Sequence, residues 1–477
     1  MPLLLLISVW IGVPGNAQEW TEPVEISDID GAYLDPDMCI DNNGVIHVVW
    51  SSGTFGSNNW QILYSKSDNS GETWDVDFDV SQNDTLWMSQ PHIAVNSENK
   101  LYVTYDYNTM QPPNMHVLMK IYNGQQWSDS ILITEGLQGS DYNKLLIDYN
   151  NRVFIGWYNS SKFYYKFYEN GTLSQSYCPF CDSVDKFIPA EHSLTSNQIV
   201  KWVGASSSSN YSGERLQYFE HNLLDNTWTT PDMLDTNKLK VGLGLDLNDS
   251  ENAEIAYRIE TSVWPEPFSD ATLYKFFSGL EWSEAELVVE DPEDQQIAID
   301  QYNRPHIINR EKTTTGYQIV HYCKINSEWI GYVIDSTPNF CNPAKLLFHN
   351  NQLYLTYFRD YTPGFPDVNI LFTKYDVITN KKESMANISG LNIYPNPSAG
   401  STTIDFQLKK QGKTSLIIND FYGRHIKTIL DQNISAGKYS FKWDGKNDNG
   451  ANVKSGLYLC RLYNGRNVIS KSIQIIR

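Results

Sequence analysis

The sequence predicts an all-β protein, a seven-bladed β-propeller followed by a C-terminal Ig-like β-sandwich. Three observations support this prediction. A unit of four short strands recurs about every 50 residues, no long amphipathic helical pattern is present, and aromatic residues make up 13% of the chain. Aromatic and β-branched residues are enriched in strands. Four antiparallel strands in such a unit form one propeller blade, which buries its faces only against neighbouring blades.

The clearest copy of the repeating unit lies between Cys39 and Trp74. Its first two strands flank the polar turn 41–44, the third strand is Gln61–Lys66, and the fourth begins at Trp74. Gly, Asn and Asp fill the turns, where they tolerate positive φ or hydrogen-bond to their own backbone. The same pattern can be traced seven times, and the last copy ends near Thr379.

The seventh repeat has no fourth strand, but a spare strand exists at the other end of the chain. The segment Trp20–Ile26 has the Trp-containing pattern that marks the fourth strand of other repeats. We expect it to complete the last blade, because a closed ring removes the two free sheet edges of a linear array. An open β-solenoid and a series of β-sandwiches are the alternatives, and the displaced strand favours the ring.

Charge and apolar patterning divide the chain into parts. The net charge is −20, yet residues 385–477 contain 13 Lys and Arg against 5 Asp and Glu, so the rest is strongly acidic. An apolar run that ends before Ala17 is typical of a secretory signal peptide and is too short to span a bilayer. We predict a signal peptide over 1–17, the propeller over 18–382, a linker over 383–390 and the sandwich over 391–477. The linker is expected to be the only connection between the two domains.

Composition also limits the classes of partner that the protein is expected to bind. An acidic propeller is a poor partner for nucleic acid, and no segment beyond the signal peptide is apolar for long enough to form a membrane helix. We therefore expect a monomer that is secreted, either extracellular or attached to the outer-membrane surface. Cys178 and Cys181 form a CxxC pair without a second pair at metal spacing, so we predict no metal and no cofactor. A local disulfide and two reduced thiols remain the alternatives for this pair.

Residues 67–74 have the sequence SDNSGETW. This segment resembles the Asp-box of sialidase-like (BNR) propellers, and the resemblance implies a structural turn on the face away from that family's active site. We expect Asp68 to accept backbone N–H bonds, Gly71 to adopt the left-handed conformation, and Trp74 to pack between blades.

A second set of motifs lies in the tail. It contains YPNP at 394–397, DFYGR at 420–424, WDGKNDNG at 443–450 and SGLY at 455–458. These segments resemble the type A C-terminal sorting domain of the type IX secretion system of Bacteroidota. The resemblance implies export by the signal peptide and then by the tail, with the type IX secretion machinery as partner. It also implies that the tail is usually removed. A passive Ig-like module is the alternative.

Candidate binding residues lie where the start of each first strand and the loop after each second strand meet, here called the top face. Exposed aromatic rings among Asp, Asn and Ser suit sugar rings, and we expect Trp264 and Tyr361 to bind ligand. Arg258, Arg310 and Arg359 fall at nearly the same place in blades five, six and seven. Together they could hold one carboxylate or sulfate group.

An acidic residue lies close to each arginine in the sequence, namely Glu260, Glu311 and Asp360. Three separate ion pairs are therefore the alternative to a shared anion. His92 and His192 open the first strands of blades two and four, and either could be a general base. Glu260 is the third candidate for a catalytic residue.

Three functions fit this pattern. The first, which we adopt, is a secreted or surface propeller that binds a glycan or an extracellular protein. The second is a sialidase-like glycoside hydrolase, favoured by the Asp-box and the arginines. Sialidases are six-bladed, however, and their Arg-Ile-Pro motif is absent. The third is a polysaccharide lyase, which neutralises a uronate carboxylate and removes the adjacent proton.

Overall fold

The structure of the protein is a computed structural model that describes residues 20–27, 32–54, 59–82, 87–108, 115–134, 140–159, 162–181, 186–207, 214–235, 238–260, 270–290, 292–313, 315–325, 328–361, 368–377, 387–420 and 424–476. Every regular element in these ranges is a β-strand. No helix that could cross a membrane occurs in this described part of the chain.

Strand β1 (Val24–Glu25) is followed by seven antiparallel sheets whose strands pair in chain order. Sheet 1 contains β2 (Ala32–Ile40), β3 (Ile46–Gly53), β4 (Trp60–Ser67) and β5 (Phe78–Asp79). Sheet 2 contains β6 (Trp87–Val95), β7 (Leu101–Asn108), β8 (Met115–Tyr122) and β9 (Ile131–Leu132). Sheet 3 contains β10 (Ser140–Ile147), β11 (Val153–Asn159), β12 (Lys162–Glu169) and β13 (Thr172–Leu173).

The remaining sheets repeat this arrangement. Sheet 4 contains β14 (Lys186–Leu194), β15 (Ile199–Ser207), β16 (Glu214–Asn222), β17 (Thr227–Trp228) and the extra strand β18 (Asp232–Asp235). Sheet 5 contains β19 (Lys238–Leu247), β20 (Ala253–Glu260), β21 (Asp270–Phe276) and β22 (Glu286–Glu290). Sheet 6 contains β23 (Pro292–Ile299), β24 (Pro305–Thr313), β25 (Gly316–Ile325) and β26 (Glu328–Thr337). Sheet 7 contains β27 (Cys341–His349), β28 (Gln352–Asp360), β29 (Val368–Asp376) and β1.

Pairing of β1 joins the two ends of the repeat array. Val24 lies opposite Phe372 and Glu25 opposite Leu371, so the N-terminal segment forms the outer strand of sheet 7. Trp20 is 3% exposed in the core between sheets 6 and 7. Its Nε1 donates a hydrogen bond to Nδ1 of His321 at 3.1 Å. This is the position that the spare Trp-containing strand leads us to expect.

Neighbouring sheets share their cores. Seven buried apolar clusters each combine residues of two successive sheets, and one of these clusters joins sheet 7 to sheet 1. In that last contact, Trp74 packs edge-to-face on Phe372 with ring centroids 5.2 Å apart. Gly71 has φ 83°, and a Cβ at this position would lie 2.0 Å from the Phe372 ring. Close approach of the two sheets therefore requires glycine here.

The turn of residues 67–74 differs by one residue from the prediction. Asn69 Oδ1 accepts the N–H of Thr73 at 3.0 Å, and Ser67 Oγ accepts the N–H of Gly71 at 2.9 Å. Asp68 accepts neither of these bonds, so the expectation that it accepts the backbone N–H groups of the turn is wrong. The reason is that the side-chain oxygen of Asn69, one residue further along the chain, accepts the Thr73 N–H and so takes the place expected for Asp68.

The turns between first and second strands are also linked from sheet to sheet. Asp41 Oδ1 accepts the N–H groups of Asn43 and Val45, both at 2.9 Å, and so closes its own turn. The next residue, Asn42, donates its N–H to Oδ1 of Asn99 in the turn of sheet 2 at 3.1 Å. Equivalent bonds run from Ser97 to Asn151, from Ser196 to Glu251 and from Asp249 to Asn303. These bonds hold the ends of successive sheets at one level.

The C-terminal part forms a β-sandwich. One layer contains β30 (Ile388–Tyr394), β31 (Thr402–Leu408) and β34 (Gly437–Trp443), and the other contains β32 (Gly412–Asp420), β33 (His425–Ile434), β35 (Gly456–Asn464) and β36 (Asn467–Ile475). The buried Trp443 and the apolar residues of alternate strand positions fill the space between the layers. Strand β30 begins at Ile388, inside the segment predicted as linker.

The expectation that a linker is the only connection between the domains is wrong. Strand β36 pairs with β26, so sheet 6 continues into the second layer of the sandwich as one eight-stranded sheet. Arg461 of β35 lies 3.5 Å from the carboxylate of Glu311 in β24, and both side chains are buried. The physical reason is that β26 would otherwise present an edge of unpaired backbone groups, which β36 covers.

Candidate functional site

The first strand of every sheet contains an irregularity at the same level. The pairing of each first strand with its second strand shifts register between residues 34 and 37, 89 and 92, 141 and 144, 189 and 191, 239 and 243, 292 and 295, and 343 and 345. A β-bulge of this kind bends the strand and changes the face on which the following side chains lie.

Five ionisable side chains stand where regular pairing resumes after these bulges, and they line one cavity of about 360 Å³: Asp37, His92, Lys144, Glu191 and Lys345. They come from five different sheets, and Gln296 of a sixth sheet also lines the cavity. Apolar surface is contributed by Ile93, Leu145 and Phe358. We call this space the axial cavity, because the first strands of the sheets converge on it.

Asp37 is the centre of the hydrogen-bond network in the axial cavity. Its Oδ2 accepts the N–H of Ile93 at 3.0 Å and lies 3.3 Å from Nδ1 of His92. Its Oδ1 lies 3.7 Å from Nζ of Lys345. Burial favours the neutral carboxyl, but the charge of Lys345 and the contacts with His92 outweigh burial and hold the pKa of Asp37 well below its usual range. Asp37 in turn raises the pKa of Lys345, so the two form a stable ion pair.

His92 presents one ring nitrogen to the axial cavity. Because the ionised Asp37 carboxylate can only accept a hydrogen bond, Nδ1 of His92 carries the proton that lies between them. In the neutral ring Nε2 is then a proton acceptor, and the side chain is 30% exposed. An imidazole oriented by a carboxylate in this way is the arrangement of a general base.

His192 is differently placed, although it lines the same cavity. Its Nε2 donates to the carbonyl oxygen of Leu145 at 3.2 Å, and its Nδ1 is buried. The ring lies against Trp202 with centroids 4.8 Å apart. Burial, together with the positive charges of Lys144 and Lys345, lowers the pKa of His192 to about 3. The ring is therefore held neutral, and neither nitrogen faces the cavity as a base.

The three predicted arginines are paired with different carboxylates, one each for Arg258 and Arg359 and two for Arg310. The partners are Asp270 for Arg258, Glu293 and Asp294 for Arg310, and Asp335 for Arg359. Arg310 is 7% exposed, and its guanidinium lies 4.2 Å from the centroid of Phe340. The guanidinium groups are thus held by separate local ion pairs rather than by one shared position.

The partners are not those suggested by sequence proximity. Consecutive side chains of a strand point to opposite faces, so Glu311 lies away from Arg310 and accepts hydrogen bonds from Tyr322 and Gln318. The same alternation separates Asp360 from Arg359. Glu260 ends strand β20, and its side chain lies outside the described part of the structure, as does all of Trp264.

Tyr361 lines a second cavity. It is 39% exposed and lies 4.7 Å below the guanidinium of Arg359. Both residues border a cleft of about 520 Å³ that Tyr463 and Arg466 of the C-terminal domain also line. This cleft is separate from the axial cavity, so the structure does not bring Tyr361 to the two histidines.

Sequence reasoning found the two histidines but missed the charged residues around them. A signal was present in the sequence. Proline stands directly before Asp37 and His92, and two residues before Lys345, at the irregularity within each of these first strands. Proline in a sheet marks edges, strand starts and bulges, because it cannot donate to the ladder. A polar residue after such a proline could have been recognised in several repeats at once.

The comparisons with known proteins concern the fold. Residues 392–466 match the family model of the FlgD Ig-like domain. Among solved structures, a protein of unknown function from Dyadobacter fermentans has a TM-score of 0.50 at 11% identity, over 76% of this chain and 100% of that one. PorZ of Porphyromonas gingivalis, a surface component of the type IX secretion system, has a TM-score of 0.41 at 13% identity, over 92% and 59%. Polysaccharide lyase Uly1 has a TM-score of 0.48 at 8% identity, over 76% and 100%.

At these identities the first similarity shows a shared fold, and the two with TM-scores below 0.5 carry no conclusion about activity. No curated protein matches the chain. Within the described ranges, no three His, Cys, Asp or Glu side chains are grouped so as to hold a metal ion.

The pKa of His192 yields a prediction. The unfolded chain binds a proton on this ring near pH 6.5, whereas the folded protein does not until about pH 3, so the residue costs stability as pH falls through that window. Two-dimensional NMR of the ring nitrogens should show the Nε2–H tautomer of His192, unchanged between pH 8 and 5. His192→Gln assigns the signal, and a titration midpoint near 6.5 would contradict the geometry.

Proposed function

We propose that this chain is an exported, seven-bladed β-propeller that binds a glycan in the axial cavity. The observation that carries the proposal is the ring of bulges, which directs ionisable side chains of five sheets into one space. Seven successive sheets, with a shared core between the last and the first, support the ring and its number of blades. A function for the cavity would explain why the irregularity recurs at one level in every first strand.

The chemistry of the axial cavity favours a sugar. Its volume is in the range of small-ligand sites and is too small for a protein surface. Asp37 and Glu191 accept hydrogen bonds, Lys144 and Lys345 donate them, and Nε2 of His92 accepts in the neutral ring. Sugar hydroxyl groups both donate and accept, so they suit a site of mixed charge. Nucleic acid, in contrast, requires mainly cations.

The test begins with a glycan array probed with the purified full-length protein, followed by calorimetry with the tightest ligand. Lys345→Met and Lys144→Met should each weaken binding about 10- to 100-fold, which corresponds to the loss of one charge-assisted hydrogen bond. Lys100→Met is the matched control, because Lys100 pairs with Glu98 on the surface. Unchanged affinity in both cavity variants would overturn the assignment of the site.

A second candidate function is a polysaccharide lyase, and the contact between Asp37 and His92 favours it. In such a reaction His92 would remove the C5 proton next to a uronate carboxylate, while Lys144 or Lys345 would neutralise that carboxylate. The electron pair would then form the C4–C5 double bond, the C4–O glycosidic bond would break, and the leaving oxygen would take a proton from water. The sialidase alternative receives less support, because its arginines would have to share one anion and here each is paired separately.

Absorbance at 235 nm during incubation with uronate-containing polysaccharides measures lyase activity directly. His92→Gln should then reduce the rate by about 100-fold or more, the usual contribution of a general base. His192→Gln should retain most of the activity, since that ring does not face the ligand. If the native protein has no activity on any of these polysaccharides, the result contradicts the lyase function for uronate-containing substrates.

The export route is part of the proposal. Its support is the set of tail motifs between residues 394 and 458 and the apolar N-terminal segment. Fusion of residues 387–477 to an unrelated periplasmic protein should send that cargo to the surface of a bacterium that has the type IX machinery. A fusion that remains in the periplasm while native cargo is exported would contradict the sorting role. Deletion of the tail is a poorer test, because the domain also covers the edge of sheet 6.

A further inference from the structure

The C-terminal domain contacts sheet 6 through direct pairing of one strand from each. Gly331 of β26 lies opposite Val468 of β36, and Tyr332 lies opposite Asn467. The N–H of Val333 continues the ladder by donating to the carbonyl oxygen of Arg466 at 2.7 Å. Because a Cβ at position 331 would lie 2.7 Å from Val468, the two strands approach as closely as only glycine permits.

Each domain also contributes to the core of the other. Val468 is fully buried in the cluster that contains Ile307 and Val320 of sheet 6. In the opposite direction, Ile330 of β26 is buried in the core of the sandwich. Apolar residues that are buried on both sides of a contact are typical of permanent rather than transient interfaces.

A buried ion pair crosses the same contact. Arg461 and Glu311 are at most 2% exposed and lie 3.5 Å apart, and Gln318 donates to the Glu311 carboxylate at 3.0 Å. Separation of the domains would leave both charges without their partner, at least until water reached them. At the rim, Lys471 lies 3.4 Å from Glu328, with 40% and 33% of the two side chains exposed.

We propose that strand β26 is a docking surface that retains the C-terminal domain as a non-covalent subunit after the connecting chain is cut. The connecting residues 378–386 lie outside the described structure, and none of the contacts above depends on them. Cleavage in this segment therefore removes a covalent link but leaves the strand pairing, the shared cores and the buried ion pair. Release of the domain then requires a second event that opens this interface.

The experiment replaces residues 379–385 of the full-length protein with the recognition site of a sequence-specific protease. After cleavage, denaturing electrophoresis should show two fragments, while size-exclusion chromatography at 100 nM should show a single species of unchanged size. Two separate species at micromolar concentration would overturn the proposal.

Variants test whether the described contacts hold the fragments together. Arg461→Met should raise the dissociation constant of the cleaved fragments roughly 100-fold, because Glu311 is left buried without its partner. Arg424→Met is the matched control, since Arg424 pairs with Asp420 within the same domain on its surface. Equal effects of the two variants would contradict the proposal.

A charge reversal covers the case in which Arg461→Met does not fold. Lys471→Glu places a like charge beside Glu328 and should weaken retention about fivefold or more, whereas the double variant Lys471→Glu, Glu328→Lys should restore it. Such a rescue cannot arise from general destabilisation. If the reversal has no effect, or the double variant does not recover, this edge is not the docking surface.

Discussion

A β-bulge at one level of each first strand is the constraint on which the candidate site depends. Side chains alternate between the two faces of a strand, so a regular strand would fix which residues face the axis along its whole length. In six of the seven first strands one extra residue reverses this alternation, and in sheet 5 the irregularity contains two extra residues. In the strands of sheets 1, 2 and 7, a proline lies at the reversal and Asp37, His92 or Lys345 follows it. The ladder loses some hydrogen bonds, and polar side chains of several sheets come to line one cavity.

Electrostatics then determine what these groups can do. Asp37 and Lys345 hold each other in their charged forms, and Asp37 also orients the imidazole of His92. His192, only a short distance away in the same cavity, is kept neutral by burial and by the neighbouring lysines. Two histidines at equivalent positions in the repeats therefore differ. His92 presents a hydrogen-bond acceptor to the cavity, while His192 is bonded to the Leu145 carbonyl oxygen and packs on Trp202.

Local signals predicted much of the fold. Turn residues and the alternation of apolar residues predicted the repeated four-strand unit, and the Trp pattern identified the segment that pairs with β29. Non-local features could not be predicted. The position of Arg258, Arg310 and Arg359 in the repeats indicated their level but not their partners, which lie on other strands. The pairing of β26 with β36 joins residues more than 100 positions apart, and the glycine that permits it, Gly331, does not identify its partner strand.

A crystal structure of the full-length protein with its tightest-binding oligosaccharide tests the ligand cavity most directly. We predict a sugar in the axial cavity, with its polar atoms within about 3 Å of the side chains of Asp37, His92 and Lys345. A sugar bound between Arg359 and Tyr361 in the cleft beside the C-terminal domain, with the axial cavity unchanged, would contradict the proposal that the bulges of the first strands form the binding site.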